Sequence, residues 1–204
     1  MDSDQCEHEV CDAKANVTFV TIAARKCDRI HRWCDIHASA EIPLYYKRTR
    51  HPQSHVLLRH DHDAVNFELE CLAYYESTGE CWMSLRDEAG LSRFPLQIGY
   101  VEFALLNHAV SPRQGARPLT HQTMNSIITR LNARLRHVLI HSLAEEEPVF
   151  YAHIALEMNH HLVLIDSRPT DAVALAIESD SPILVSNVVL EGIRQRTNLY
   201  PRGQ

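Results

Sequence analysis

The alternation of apolar and polar residues predicts a β-hairpin at the start of the main domain. Residues 64–76 (AVNFELECLAYYE) and 81–87 (CWMSLRD) both alternate, and Ser77, Thr78 and Gly79 between them are typical turn residues. Both Cys71 and Cys81 fall within these segments, where we expect buried strand residues rather than metal ligands. A third strand is expected to end at residues 95–98.

Helical spacing follows this hairpin. Residues 99–110 (GYVEFALLNHAV) predict a helix whose buried face carries Val101, Ala104, Leu105 and His108. A second helix is predicted over residues 121–135, and Thr120 stands where an N-cap is wanted.

Further strands are predicted in the second half of the chain. They cover residues 136–142, 148–158, 161–167 and 182–186, and a helix over about 169–179 separates the last two. Residues 161–167 (HLVLIDS) are nearly all apolar, as expected of a buried central strand. The order of elements predicts an α+β domain with a mostly antiparallel sheet and helices packed on one side.

Cysteine and histidine spacing predicts a small zinc-ribbon-like module before this domain. Cys6 and Cys11 form one pair and Cys34 and His37 another, with a strand-like segment (NVTFVT) between them. Two such pairs across a hairpin fill a tetrahedral, structural Zn²⁺ site. Two alternatives stay open, since Cys27 could replace Cys34 and His8 could replace Cys6. Reduced, unligated cysteines are the third.

The predicted organisation has four parts. Residues 1–40 form the zinc module, 41–63 a polar linker, 64–192 the main domain and 193–204 an irregular tail. The linker and residues 159–161 hold clusters of histidines, which we interpret as solvated. The acidic residues around the first cysteines favour a protein partner for the module.

Charge and hydropathy narrow the class of protein. The chain has 26 acidic against 20 basic residues, a formal net charge of −6, so it lacks the basic field of a non-specific nucleic-acid coat protein. It contains no long apolar run and its N-terminus resembles no secretory signal. We expect a soluble, cytoplasmic protein without membrane contact, and the free edge of an antiparallel sheet makes a homo-oligomer plausible.

Two predicted helix starts carry arginines and acids. Residues 166–176 (DSRPTDAVALA) place Asp166, Arg168 and Asp171 before and in the first turn of an apolar helix, which Ser167 or Thr170 could cap. Residues 116–122 (ARPLTHQ) similarly place Arg117 and His121 at a helix start. Together with Glu102 these groups would form an anion site with acids suited to a divalent cation, or an ion-pair lattice that fixes the helix starts.

Four ordered motifs resemble the bifunctional nuclease domain family. They are FPLQIGYVEFALL (residues 94–106), RPLTHQ (117–122), VFYAHIAL (149–156) and DSRPTDAVALA (166–176), and the resemblance covers about residues 65–190. One position departs from the family pattern, because Gln122 stands where the family usually has aspartate. Phe103 replaces a usual alanine.

The resemblance implies a metal-dependent nuclease that acts on RNA or DNA. In this hypothesis Asp166 and Asp171, with Glu102, hold Mg²⁺ or Mn²⁺, which polarises the phosphate and activates water. Arg117 and Arg168 neutralise the phosphate, and His121 is the general acid or base. The alternative is a non-catalytic, zinc-containing binding or regulatory protein whose Arg/Asp cluster is structural.

Overall fold

The computed structural model of the chain divides into two compact units. The first consists of residues 1–54 and 68–114, and the second of residues 55–67 and 115–204. The structure describes residues 17–23, 26–33, 64–111, 117–144, 149–159 and 161–197. The predicted zinc ligands Cys6, Cys11, Cys34 and His37, and the linker with its histidines, lie outside the described residues.

Nine strands and four helices are described. The strands are β1 (Val17–Ala23), β2 (Lys26–Trp33), β3 (Ala64–Tyr75), β4 (Glu80–Asp87), β5 (Arg93–Ile98), β6 (Ala133–Leu143), β7 (Phe150–Met158), β8 (His161–Ser167) and β9 (Ile183–Ser186). The helices are α1 (Tyr100–Val110), α2 (Thr120–Arg130), α3 (Pro169–Glu178) and α4 (Asn187–Thr197). None of these helices is long and apolar enough to cross a bilayer.

The first unit is an antiparallel arrangement of strands with one helix. Strand β1 pairs with both β2 and β3, while β4 pairs with β3 and β5. Gly79 adopts a φ of 73°, which the tight turn between β3 and β4 requires, and its amide donates to the carbonyl of Tyr75 at 2.7 Å. The predicted hairpin is therefore confirmed, and Cys71 and Cys81 are buried within it as expected.

Helix α1 is confirmed, but its predicted buried face is wrong. The helix buries Phe103, Leu106 and Val110 instead, and Val101 is 66% exposed. Apolar residues occur on several faces of this short helix, so periodicity alone could not select the face that packs. Because Phe103 belongs to the buried set, the substitution of the usual family alanine is a packing change.

The second unit contains a mixed sheet. The first four residues of β3 pair antiparallel with β9, and β9 runs parallel to β6. Strands β7 and β8 follow in antiparallel order. Helices α2 and α3 pack on each other and on β6, while α4 packs on β6 and β9. The predicted α+β class is confirmed.

Two boundaries in the second unit differ from the prediction. Helix α2 ends at Arg130 because Asn132 adopts a φ of 55°, a left-handed conformation that asparagine tolerates better than most residues, and β6 begins one residue later. Helix α4 continues to Thr197, where an irregular tail was expected from residue 193. Its start is stabilised by Ser186, whose hydroxyl oxygen accepts from the amide of Val189.

Strand β8 has the predicted bounds but not the predicted environment. It lies at the end of the strand order and, among the described residues, pairs with β7 alone. Every residue from His161 to Asp166 is exposed, including Leu162 and Leu164 at 56% each. The expectation of a buried central strand is wrong, because an apolar run does not show whether another element covers it.

We predict that Glu70 makes the stability of the protein fall as pH rises. Its side chain is 2% exposed, and burial raises its pKa above the ordinary value of 4.5, opposed by a hydrogen bond and charge from Arg93 and by the charge of Arg86. The folded state therefore holds the proton more tightly than the unfolded chain. This contribution is complete below pH 4.5 and is lost as pH rises through the folded pKa.

Urea unfolding of the wild type and of Glu70→Gln at several pH values measures this effect. The free energy of unfolding of the wild type, relative to the variant, should decrease from about pH 4 to about pH 7. Glu68→Gln on the same strand, whose side chain is 52% exposed, is the control and should show no such trend. A difference that increases with pH would contradict the prediction.

Candidate functional site

The first turn of α3 is built as the sequence predicts, with one difference at the cap. Arg168 is the N-cap residue in an extended conformation, Pro169 occupies the first turn, and Asp171 is the acid of that turn. No side chain caps the helix, so the expected cap by Ser167 or Thr170 is wrong. The hydroxyl of Ser167 donates instead to the carbonyl of Arg168 at 3.1 Å.

Arg168 and Asp171 form a bidentate ion pair at the surface. The guanidinium donates from Nε to Oδ2 at 2.7 Å and from Nη2 to Oδ1 at 3.2 Å. The side chain of Arg168 is 65% exposed and that of Asp171 is 29% exposed. The alternative of a buried ion-pair lattice therefore does not describe this pair, which faces solvent.

His121 joins this pair from the start of α2. Its Nε2 lies 3.4 Å from Oδ1 of Asp171, and its side chain is only 8% exposed. The first turns of α2 and α3 are thereby held together by one imidazole and one carboxylate. Because the ring is buried, we interpret His121 as a group that positions Asp171 rather than as one that a substrate reaches.

Gln122 has a structural function at the start of α2. The N-cap is Leu119, one residue before the predicted Thr120, and the amide of Leu119 donates to Oε1 of Gln122 at 3.0 Å. This contact is the glutamine half of a capping box, which satisfies an amide that the helix itself cannot. Gln122, which stands where the family usually has aspartate, thus keeps a hydrogen-bond acceptor but carries no charge.

Asp166 lies on the exposed strand β8, directly opposite His153 of β7. Directly opposed residues place their Cβ atoms about 5 Å apart on one face of the sheet. His141 of β6 stacks on His153 with ring centroids 5.2 Å apart, and His137 follows at 6.3 Å from His153. Sequence analysis missed this imidazole row, although the spacing of His137 and His141 in a strand was a usable signal.

Arg168 follows Asp166 by two residues and is the N-cap of α3. Alternate residues of an extended chain point the same way, and Arg168 keeps an extended backbone just after β8. Its side chain therefore leaves the chain on the same side as that of Asp166, about 7 Å further along. The candidate site consists of Asp166, Arg168, Asp171 and His121, with His153 beside Asp166.

Two further predicted residues, Arg117 and Glu102, belong to neither β8 nor α3. Arg117 is exposed in the segment before α2. Glu102 belongs to the first unit, in the first turn of α1, where its carboxylate folds over Gly99 so closely that a Cβ at that glycine would collide with it. A side chain at residue 99 would therefore make the flexible carboxylate of Glu102 move.

The described residues do not fit the predicted divalent-metal site. Within the described ranges no three His, Cys, Asp or Glu side chains are arranged to hold a metal ion. Both carboxylate oxygens of Asp171 already contact Arg168 or His121. A cation at this carboxylate would share its oxygens with the guanidinium of Arg168 and the imidazole of His121.

The structure is that of an α+β protein in which a solvent-facing arginine, a carboxylate and a buried histidine lie at two helix starts, with a second carboxylate on the strand that leads into one of them. The chain belongs to the bifunctional nuclease domain family, whose model matches residues 83–198, more than half of its 204 residues. The resemblance seen in the sequence motifs is thus confirmed at the level of the family.

Two relatives from Mycobacterium tuberculosis are similar to this chain. They are the uncharacterized protein MT1877 of strain CDC 1551 / Oshkosh and the uncharacterized protein Rv1829 of strain ATCC 25618 / H37Rv. Each is 33% identical over 106 residues, which are 52% of this chain and 62% of the relative. The matched region thus spans less than two thirds of the length of either relative.

We predict that the Arg168 side chain contributes little to stability. Arg168→Ala should lower the free energy of unfolding by about 0.5 kcal/mol or less, because exposed ion pairs of this spacing are screened by water. Leu175→Ala in the same helix should cost about 2–5 kcal/mol, since Leu175 is 1% exposed. Urea unfolding of both variants gives the comparison, and equal losses would show that the ion pair is structural.

Proposed function

We propose that this protein is a nuclease that cleaves RNA or DNA phosphodiesters at the start of α3. Membership of the bifunctional nuclease domain family supports this function. The observation that carries it is the exposed Arg168, held by Asp171 at a helix N-terminus and following Asp166 on the same side of the chain. These groups can bind an anion and move a proton at one surface.

Phosphate binding is assigned to Arg168 and the first turn of α3. A planar guanidinium binds phosphate oxygens with geometric specificity, and the amides at a helix N-terminus carry partial positive charge. Asp171 fixes the orientation of the guanidinium, and His121 fixes Asp171. Arg117 is a second exposed cation for the nucleic-acid backbone in this proposal.

Proton transfer is assigned to Asp166. It is exposed on β8 and lies directly opposite His153 in the strand pair, a position that places the two Cβ atoms about 5 Å apart. A carboxylate can accept a proton from water or from a ribose hydroxyl, and an imidazole on the neighbouring strand can relay it. The row formed by His153, His141 and His137 extends this path along the sheet.

The proposal includes Mg²⁺ or Mn²⁺ only in that cleavage is to be measured with and without each cation. A divalent cation would supply charge neutralisation and an activated water. Since the described residues do not form a three-ligand site, no step is assigned to a metal here. The structural Zn²⁺ at Cys6, Cys11, Cys34 and His37, and a protein partner for that segment, likewise stay proposals.

One observation favours a second function, that of a non-catalytic binding or regulatory protein. Both carboxylate oxygens of Asp171 contact Arg168 or His121, as in a cluster that only fixes two helix starts. The net charge of −6 also opposes binding to nucleic acid over the whole surface. If the protein is a nuclease, removal of an exposed charge at the site should abolish cleavage. If it is a non-catalytic binding protein, there is no cleavage for such a change to abolish.

The test is cleavage of labelled single-stranded RNA and duplex DNA in Mn²⁺, in Mg²⁺ and in EDTA. Asp166→Asn should reduce the cleavage rate by about a hundredfold or more, because general acid–base groups contribute that much. Arg168→Ala should reduce it by weakening phosphate binding, and the loss should be smaller at saturating substrate.

Matched controls separate the site from general charge effects. Glu191→Gln removes an exposed acid of α4, and Arg130→Ala removes an exposed arginine at the end of α2, so both should cleave like the wild type. Absence of cleavage by a folded wild type under all three metal conditions would leave the non-catalytic function. Equal cleavage by the wild type and Asp166→Asn would remove Asp166 from the mechanism.

A further inference from the structure

Among the described strands none pairs with the outer edge of β8, which is apolar from Leu162 to Ile165. Leu162, Val163, Leu164 and Ile165 are 40–56% exposed, although they alternate between the two faces of the sheet. No register shift interrupts the pairing of β8 with β7. Edge strands are usually protected by lysine, proline or a bulge, and β8 carries none of these within residues 161–167.

The apolar surface continues onto β7 on both sides of the sheet. Tyr151, 46% exposed, lies on the face of Leu162 and Leu164, and Met158, 39% exposed, lies on the face of Val163 and Ile165. The exposed areas of these side chains are divided between the two faces of the sheet, and Tyr151 and Met158 lie one strand inside the edge. Edge-to-edge pairing of two β8 strands would therefore cover only the parts of the β8 side chains that lie beside the edge, and it would add main-chain hydrogen bonds between the two strands.

We propose that a second copy of this chain pairs its β8 with this edge, antiparallel and about a two-fold axis. Such pairing satisfies the outward N–H and C=O groups of both strands, because an antiparallel edge needs another strand edge as its partner. The run of four apolar residues is self-complementary. If the two-fold axis passes through Val163 or Leu164, the residues on either side of it lie opposite apolar residues of the second copy.

Charge supports the choice of a second copy. The molecule carries a net charge of −6, so two copies repel one another over most of their surface. Residues 162–165 contain no charge, and like charges therefore do not meet at the centre of the strand pair. A two-fold interface uses the same patch twice, so a strand without charge brings no like charges together at its centre.

The interface adjoins the candidate site. Asp166 lies on the same strand and the same face as Leu162 and Leu164, and Arg168 follows two residues later. The second copy would therefore border Asp166 and exclude part of its solvent, whatever reaction the site performs. Self-association and the environment of Asp166 are thus coupled through one strand.

The test is the molar mass of the full chain over a dilution series, measured by size-exclusion chromatography with light scattering. The wild type should have about twice 23.3 kDa. Leu164→Lys and Ile165→Lys, on opposite faces of β8, should each return the mass to 23.3 kDa. Leu91→Lys, at a leucine that is 84% exposed in the first unit, is the matched control and should keep the dimer.

Other outcomes overturn the proposal. A wild type that is monomeric at all concentrations, a trimer, or a dimer that both β8 variants retain would each exclude this interface. If either variant fails to fold by circular dichroism, hydrogen exchange of the wild type decides. The outward amides of β8 should exchange more slowly as protein concentration rises, and exchange independent of concentration would exclude strand pairing.

Discussion

Burial of α3 against the sheet is the constraint on which the candidate site depends. Five consecutive residues, from Ala172 to Ala176, are at most 1% exposed, so the middle of the helix is enclosed on all sides. Three of these residues are alanines, which allow the backbone to approach β6 and β7 closely. The first turn reaches solvent, and it carries Asp171 directly after the N-cap residue Arg168. The packing of the apolar side chains of α3 therefore determines where the polar side chains at its start lie.

The side chains that stabilise the two helix starts are therefore different from those that face solvent. The ion pair of Arg168 and Asp171 is too exposed to hold the helix in place, whereas the buried His121 and the capping contact of Gln122 fix the start of α2. The surface groups can consequently change without loss of the scaffold. Asp166, at the end of β8, enters the same surface through the strand that leads into α3.

Local sequence signals predicted the features that depend on residues near in sequence, such as turns and helix starts. Turn residues located the β3–β4 hairpin, and Pro169 with Asp171 located the start of α3. What depends on neighbours distant in sequence was not predictable. The apolar run of β8 indicated a strand but not its exposure, and the periodicity of α1 indicated a helix but not that Phe103 would pack. The pairing of His153 with Asp166 required a strand register that no single segment specifies.

The distribution of thiols between the two units has an experimental consequence. All six cysteines fall in residues 1–54 and 68–114, and the second unit, with its candidate site, contains none. Burial raises the pKa of the Cys81 thiol, with a smaller effect from the charge of Glu102, so this sulfur stays protonated and unreactive while β4 is packed. Alkylation of Cys71 and Cys81 thus reports the opening of β3 and β4, the two strands that bury these thiols.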